Sequence, residues 1–336
     1  MSRTIGSILH GAYGDYYEQS VCLKDFQLKH PDTKLKLFAA SPNRLAELGV
    51  LDFSWAGCFE LWTELPKHDL DEFFQFQVND TSLQNEVLSK LPSDVLRKID
   101  LEHNQLPWRY LRSILPLEPR QQLALDDQGR SSLSRIMQEN GIGAKAFQKP
   151  TIGFLWRYRA AGGAVKSVFL PEAKRLVAKY SRLFRRLIDE FGCHVMICGM
   201  KVPRTPENMH RIDAKYPEYG LDLPPESSTH LKGLSWALEL EILARCTLCV
   251  VNPSGFSEAL WIKRGKGMVL VDPPPHYLAK ALWHRVSLFN LQRPGSLLSA
   301  VASRWEQAAL AQIRSEFERA LRQAHSPAVT EWQSTI

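Results

Sequence analysis

The stretch TIGSILHGAYGD, residues 4–15, is the part of the chain that best predicts the fold. Residues 4–10 are apolar, Gly11-Ala12-Tyr13-Gly14-Asp15 form a glycine-containing turn, and residues 16–29 have a helix-like pattern. A strand followed by such a turn and a helix is an anion-binding corner, because free backbone N–H groups and the helix dipole face a ligand there. The acidic side chain of Asp15 does not suit a phosphate. It suits a base directed at a sugar hydroxyl.

Asp15 also has a purely structural interpretation. Aspartate is a favoured N-cap residue, so Asp15 would equally well cap the helix that follows the turn. The turn is neither the G-x-G-x-x-G fingerprint of dinucleotide-binding domains nor a P-loop, which requires Gly-Lys-Ser/Thr. A catalytic base and a helix cap therefore remain the two alternatives for this residue.

Length and composition indicate a globular protein with two domains. The chain has 336 residues, of which 44% are hydrophobic and 23% charged, and a typical domain holds about 150 residues. The most apolar long window, residues 234–251, contains Glu239, Glu241 and Arg245, so no membrane-spanning helix is predicted. The first residues lack the charged-then-apolar pattern of a secretory signal, so we expect a cytoplasmic protein.

The six cysteines do not predict a metal centre. Cys246 and Cys249 have C-x-x-C spacing, but this pair leads directly into an apolar segment without a second pair or a histidine cluster. Buried reduced thiols are the expected state in a cytosolic protein. Asp126-Asp127 is expected to be a solvated pair, so the sequence predicts no metal site.

The net charge of +6 is modest for this length. Part of it lies on one helix-like segment that contains Lys174, Arg175, Arg182, Arg185 and Arg186. Such a basic face is usually solvated, and it also suits an anionic membrane surface or a phosphorylated substrate. Nucleic-acid binding is not predicted, because no interleaved aromatic and basic motif of a known reader is present.

Apolar strands and helical periods alternate through both halves of the chain. We expect strands at residues 4–10, 34–39, 58–62, 73–78, 151–156, 194–198, 248–251 and 268–271. We expect helices at residues 16–29, 42–48, most of 80–112, 171–191, 234–244, 256–263 and within 297–321. Short, fully apolar strands point to parallel sheets that are covered on both faces. The sequence therefore predicts an α/β fold of two doubly wound, Rossmann-like domains facing a cleft, at residues 1–148 and 149–336, with the polar segment 126–150 as their connection.

A second post-strand loop, at residues 252–259 (NPSGFSEA), has the features of a nucleotide-binding loop. Gly255 permits close backbone approach, and the helix start that follows offers N–H groups to a diphosphate. Ser254 suits the same role or a simple helix cap. Glu258 suits ribose hydroxyls, or it merely complements the helix dipole. The fit to a serine-hydrolase elbow is poor, because the order is not G-x-S-x-G.

A third loop combines basic side chains with glycines after the strand at residues 151–156. Arg157, Arg159 and Lys166 lie around Gly162-Gly163, and guanidinium groups bind phosphate oxygens in bidentate fashion. Taken alone, this loop is as well explained as a solvated basic segment. Three compatible loops together favour the functional interpretation of each.

The order of these features resembles a GT-B glycosyltransferase, in particular the lipopolysaccharide heptosyltransferase-like group. In the first domain, Gly14-Asp15 precedes a helix and Lys29-His30-Pro31 leads into the second strand, as in that group. In the second domain, the strand and basic loop at residues 151–166, the long helix at 171–191 and the strand ending in a glycine at 194–199 follow the order of the group.

The donor loop resembles that of the group in shape but departs from it at two positions. Pro253 replaces the acidic residue that precedes Ser-Gly, and Glu258 stands where a histidine usually falls. A glutamate in this helix resembles the ribose-binding acid of many other GT-B enzymes. An ADP-heptose donor is therefore not carried over, and the donor sugar, nucleobase and acceptor remain open.

The resemblance implies an inverting, metal-independent glycosyltransferase that uses a nucleotide-sugar co-substrate and a glycan or glycolipid acceptor. Asp15 would be the general base on the acceptor side, in a loop with Gly11, Tyr13 and Gly14. The residues implied to bind the donor and its departing diphosphate are Arg157, Arg159, Lys166, Ser254, Gly255 and Glu258. No other cofactor is implied, and the oligomeric state is not predicted.

Two alternatives remain beside the transferase. A nucleotide-sugar 2-epimerase shares the two-domain fold and a Ser-Gly…Glu donor loop, but needs further acidic and histidine residues at the sugar ring. A non-catalytic nucleotide- or glycan-binding protein could retain the fold without the activity, because a fold alone does not decide function.

Overall fold

The computed structural model of the protein describes residues 3–9, 11, 13–74, 89, 96–97, 123–143, 146–147, 149–155, 169–198, 221–231, 234–251, 255–264, 268–270, 311 and 313–322. The chain divides into two compact units. Unit 1 contains residues 1–134, 235–241 and 254–265, and unit 2 contains residues 135–234, 242–253 and 266–336. Two short segments from the second half of the chain thus belong to unit 1.

Unit 1 contains a parallel sheet. Its described strands are β1 (Arg3–Leu9), β2 (Thr33–Ala39), β3 (Cys58–Leu61), β4 (Glu72–Phe74) and β5 (Leu96–Arg97), in the order β3-β2-β1-β4-β5. All neighbouring strands in this order are paired in parallel. The helices between them are α1 (Tyr13–Lys29), α2 (Pro42–Leu48) and a short 3₁₀ helix (Trp62–Lys67). β1 is therefore the central strand of this sheet.

Local sequence signals explain the elements of unit 1. The last five residues of β1 are buried, as expected of a central parallel strand. Ser41 caps α2, because its hydroxyl accepts a hydrogen bond from the Arg44 backbone N–H, and Pro42 follows as the first helical residue. One face of the sheet is closed by a buried apolar cluster of Ile8, Phe38, Leu65, Leu70 and Phe73.

Unit 2 contains a second parallel sheet with the same number of described strands. These are β6 (Thr151–Leu155), β7 (His194–Cys198), β8 (Ser228–His230), β9 (Leu248–Val251) and β10 (Met268–Leu270), in the order β10-β9-β6-β7-β8. Each neighbouring pair is parallel. The long helix α4 (Phe169–Phe191) connects β6 to β7 and ends at Gly192, whose φ of 59° is the left-handed conformation that glycine adopts at helix ends.

Apolar residues of α4 form part of the core of unit 2. Tyr180, Leu183 and Leu187 are buried against Phe154 of β6 in one cluster. Residues 313–322 are helical (α7) and contribute the fully buried Ile313 and Phe317 to this cluster. The remaining helices are α3 (Asp127–Glu139), α5 (Trp236–Arg245) and α6 (Gly255–Arg264).

The predicted fold class is confirmed, since two sheets of parallel strands with flanking helices form an α/β fold. The structure differs from the prediction at one turn and adds an element to two further segments. The predicted turn at residues 11–15 is shorter, because α1 already begins at Tyr13. The segment predicted to be mostly helical at residues 80–112 contains β5, which pairs with β4, and apart from residue 89 its other residues lie outside the described part of the structure. The segment predicted as the connection at residues 126–150 contains a boundary between the two units, at residues 134 and 135, and also α3, which is capped by Asp126 through a 2.6 Å hydrogen bond from the Gly129 N–H.

All six cysteines lie in the described part of the chain, none of them is in a disulfide bond, and five of them are buried. Cys249, for example, donates its thiol to the Leu243 carbonyl oxygen at 2.9 Å. In the part of the chain that the structure describes, no helix is both long and apolar enough to cross a membrane.

Candidate functional site

The site begins at the carboxyl end of β1. Gly11 has a φ of 98°, which only glycine adopts easily, and this allows the chain to turn from the strand into α1 within a few residues. Asp15 is the third residue of α1 and is partly exposed. It therefore lies inside the first turn of the helix and not at the N-cap position that precedes Tyr13.

The aromatic ring of Trp236 joins three helices of unit 1 at their N-terminal ends. Trp236 is the first residue of α5, and its ring is stacked on Tyr13, the first residue of α1, with centroids 5.7 Å apart. On the other side, Phe256, the second residue of α6, meets the indole edge-on at 5.2 Å. The first turns of three helices thus meet through these rings, and one of them is the first turn of α1, which carries Asp15.

Helix α2 completes this cluster with two charged side chains. The Trp236 backbone N–H donates to Oε2 of Glu47 at 2.8 Å. The guanidinium carbon of Arg44 lies 3.5 Å from the centroid of the Tyr13 ring, which is a close cation–π contact. Nη1 of Arg44 is buried and has no hydrogen-bond partner among the described residues. The cluster thus carries a cation stacked on the aromatic residue that opens α1.

The phenol of Tyr16 is held by a hydrogen bond and is uncharged. Its hydroxyl oxygen accepts a 2.9 Å hydrogen bond from the Ala40 N–H, just beyond β2. Burial raises the pKa of Tyr16 to about 12, although the Ala40 hydrogen bond and the charge of Arg44 oppose this shift. Tyr16 therefore keeps its proton at neutral pH and does not compete with Asp15 as a base.

A buried ion pair holds α6 within unit 1. Nζ of Lys263, in the last turn of α6, lies 2.8 Å from Oε2 of Glu241 on α5 and donates to the Leu123 carbonyl oxygen at 2.9 Å. The two side chains are only 10% and 16% exposed. The position of α6 beside α1 thus depends on both an aromatic contact at its start and an ion pair at its end.

The residues predicted to bind the donor are only partly described. Gly255 begins α6, in the strand–loop–helix order predicted after β9. Glu258 lies in the first turn of α6, but its side chain is outside the described part of the structure. Arg157, Arg159, Lys166 and Ser254 also lie outside the described residues, so their roles stay predictions.

Arg44, Glu47 and Trp236 were not predicted from the sequence as residues of this site. The aromatic residues at positions 13, 16 and 17 have helical spacing, which is a signal for a buried aromatic helix face. Nothing in the sequence shows that residue 236 packs on residue 13, because such pairs form only through tertiary folding.

Among the described residues, one group of side chains has the geometry of a metal site: Cys58, Glu60 and His68. It lies on β3 and just beyond the 3₁₀ helix, and not at the turn between β1 and α1. This group was not predicted from the sequence.

No family model matches the chain, and no curated protein matches it in sequence. Several solved structures match almost the whole chain, among them the following two. The glycosyl transferase family 9 protein from Veillonella parvula has 12% sequence identity and a TM-score of 0.58, with 96% of this chain and 98% of that chain covered. The ADP-heptose lipopolysaccharide heptosyltransferase II from E. coli has 16% identity and a TM-score of 0.54, with 93% and 99% covered. The chain has a GT-B-like fold.

The predicted resemblance to a heptosyltransferase-like GT-B protein is thus confirmed at the level of the fold. At 12% and 16% sequence identity, the similarity shows that the backbones of these proteins share a fold. Such a similarity shows the fold, and a fold alone does not decide function.

Proposed function

We propose that this protein is an inverting, metal-independent glycosyltransferase that moves a sugar from a nucleotide-sugar to a hydroxyl group of a glycan or glycolipid. The observation that carries the proposal is the position of Asp15. Its partly exposed carboxylate lies in the first turn of α1, directly after the carboxyl end of the central strand β1. In parallel α/β sheets, ligands bind at this end of the strands.

Asp15 acts as the general base in this proposal. Its carboxylate accepts the proton of the acceptor hydroxyl while that oxygen attacks the anomeric carbon of the donor sugar. The bond from the anomeric carbon to the diphosphate oxygen breaks on the opposite side, so the configuration at this carbon is inverted. Gly11 and Gly14 keep the backbone around Asp15 free of side chains, and Tyr13 fixes the start of α1 by stacking on Trp236.

The donor is proposed to bind through the predicted domain of residues 149–336, and the acceptor through the predicted domain of residues 1–148. Arg157, Arg159 and Lys166 supply fixed positive charge for the departing diphosphate, in place of a metal ion. Ser254 and Gly255 offer backbone N–H groups at the start of α6, and Glu258 binds the ribose hydroxyls.

The cellular setting that we propose is polysaccharide biosynthesis in the cytoplasm, with peripheral contact at the inner face of the membrane. Support comes from α4, where Arg182, Arg185 and Arg186 are all exposed and Arg185 already pairs with Asp222. A row of exposed arginines is attracted to an anionic surface.

The experiment is a panel of nucleotide sugars incubated with the full chain and with lipopolysaccharide-type glycan acceptors. Acceptor-dependent release of nucleoside diphosphate, with product of inverted configuration, supports the proposal. Conversion of the nucleotide sugar into its 2-epimer without transfer would support the epimerase instead. Binding of a nucleotide sugar, seen as a thermal shift, without any turnover would support a non-catalytic binding protein.

A further inference from the structure

Strand register brings a group of metal-ligating side chains onto one face of the sheet in unit 1. In the parallel pairing of β2 with β3, Lys36 is opposite Cys58 and Phe38 is opposite Glu60. Residues two apart on a strand point to the same face. Cys58 and Glu60 therefore lie on the face of the sheet that also carries Phe38 and its apolar cluster. This placement follows from the register of the backbone pairing.

His68 joins this pair from the chain just beyond the 3₁₀ helix. Its Nε2 lies 2.9 Å from Oε2 of Glu60, and one ligand atom each of Cys58, Glu60 and His68 all lie within 4.8 Å of one another. The imidazole packs edge-on against the fully buried Phe38, with centroids 5.3 Å apart. Because Phe38 restrains the ring, Nε2 is already directed toward the two residues of β3.

We propose that Cys58, Glu60 and His68 form a binding site for a divalent transition-metal ion, with Zn²⁺ as the ion that this ligand set suits best. Thiolate, imidazole and carboxylate are the three side-chain ligands found in zinc sites, and three of them leave a fourth tetrahedral position for water. The Glu60 and His68 side chains are 42% and 17% exposed, so an ion can enter from solvent.

Lys36 is the group that opposes metal binding. Its Nζ lies 2.9 Å from Nδ1 of His68. With the ammonium donating to Nδ1, the ring proton of a neutral imidazole is on Nε2, where it is shared with Glu60. When the metal binds Nε2, the ring proton moves to Nδ1 and the Lys36 ammonium must turn away. Lys36 therefore lowers the metal affinity of the site.

Metal binding also releases the proton of the Cys58 thiol to solvent. Burial raises the pKa of Cys58, as does the charge of Glu60, whereas a backbone hydrogen bond at Leu37 and the charges of Lys36 and Lys34 lower it. The thiol is therefore protonated at neutral pH in the metal-free protein.

The bound ion would tie the edge strand β3 to the residues that follow the 3₁₀ helix. It closes a loop between residues 58 and 68 and would raise the melting temperature of the protein. The site lies apart in sequence from the turn that carries Asp15 and takes no part in the proposed transfer reaction. Its test is therefore independent of glycosyltransferase activity.

The experiment is a Zn²⁺ titration of the metal-free full chain by calorimetry, with Co²⁺ absorption as a second readout. We expect one high-affinity equivalent and a thiolate-to-Co²⁺ charge-transfer band. Both are lost in Cys58→Ser and in His68→Gln, while His30→Gln, which changes an exposed histidine of the same unit, leaves them unchanged. Circular dichroism verifies that each variant is folded.

Lys36→Gln provides the sharpest comparison. A glutamine side-chain oxygen can accept the Nδ1–H bond of a metal-bound histidine, so this variant should bind Zn²⁺ about 10-fold more tightly than the wild type. The proposal is overturned if the folded wild type binds no Zn²⁺, or if binding and the Co²⁺ band persist unchanged in both Cys58→Ser and His68→Gln. Weaker binding in Lys36→Gln would also contradict it.

Discussion

The indole ring of Trp236 is stacked on the phenol ring of Tyr13, with centroids 5.7 Å apart and ring planes 29° apart. Tyr13 opens α1 two residues before Asp15, and Trp236 opens α5. The first turn of α1 is therefore supported by a residue from the second half of the chain. This contact determines the position of the proposed catalytic base.

Replacing Trp236 by alanine should destabilise the protein. The side chain is 4% exposed and contacts Tyr13, Tyr17 and Phe256, so its removal leaves a large cavity. Truncation of a buried tryptophan costs about 3–5 kcal/mol. The measurement is the thermal midpoint by circular dichroism, with Leu28→Ala as the control because Leu28 is 44% exposed. Equal midpoints for the two variants would contradict the packing described for Trp236.

The ion pair between Lys263 and Glu241 should couple α6 to α5. Lys263→Met removes the ammonium that lies 2.8 Å from the Glu241 carboxylate in a mostly buried place. Breaking one partner of a buried pair costs about 3–5 kcal/mol, whereas replacing both with apolar residues is often nearly neutral. We therefore expect the double variant Lys263→Met, Glu241→Met to recover most of the lost stability. Additive losses in the double variant would show that the two groups are not coupled.

Gly153→Ala should destabilise unit 2 through overpacking. A Cβ atom at this position of β6 would lie 2.6 Å from Cδ2 of Leu243 and 3.0 Å from Sγ of Cys246. Such insertions into a packed core cost about 1–3 kcal/mol. Gly143→Ala is the matched control, because a Cβ there meets nothing within 4 Å. A melting temperature that is unchanged in Gly153→Ala would disprove the close approach of α5 to β6.

His194 should contribute to the loss of stability in acid. Burial lowers its pKa below the ordinary value of 6.5, and so does the charge of Lys149, while a backbone hydrogen bond at Glu226 opposes the shift. Below pH of about 6.5 the unfolded chain binds a proton that the folded chain does not, so the folded state loses stability as the pH falls. His194→Gln keeps a side chain that can hydrogen-bond to Thr229, and it removes the imidazole that binds this proton.

The measurement for His194 is the melting temperature between pH 7.5 and pH 5. We expect a smaller decrease toward low pH in His194→Gln than in the wild type. His30→Gln, at an exposed site, should retain the wild-type pH dependence. A parallel decrease for wild type and His194→Gln would contradict the role assigned to His194.

The elements that the sequence predicted well are bounded by strong local signals. α2 begins at Pro42 directly after a serine cap, and β7 and β9 are short apolar runs, so all three were predicted at their observed bounds. The strand β8 was not predicted, because its three residues, Ser228–His230, are polar and are recognised only through pairing with β7.

The candidate site was predictable only in part. Asp15 could be found because a strand, a glycine turn and a helix follow one another in the sequence. The stacking of Trp236 on Tyr13 and the cation–π contact of Arg44 could not, since both depend on tertiary packing. The same holds for the grouping of Cys58 and Glu60 with His68.

The most direct measurement of the central claim compares the wild type with Asp15→Asn in acceptor-dependent release of nucleoside diphosphate. Asparagine has nearly the same shape but cannot accept the proton, so we predict a fall in kcat of about 100-fold or more with intact folding and nucleotide-sugar binding. A variant that transfers sugar at the wild-type rate would contradict the account, because Asp15 would then not be the base.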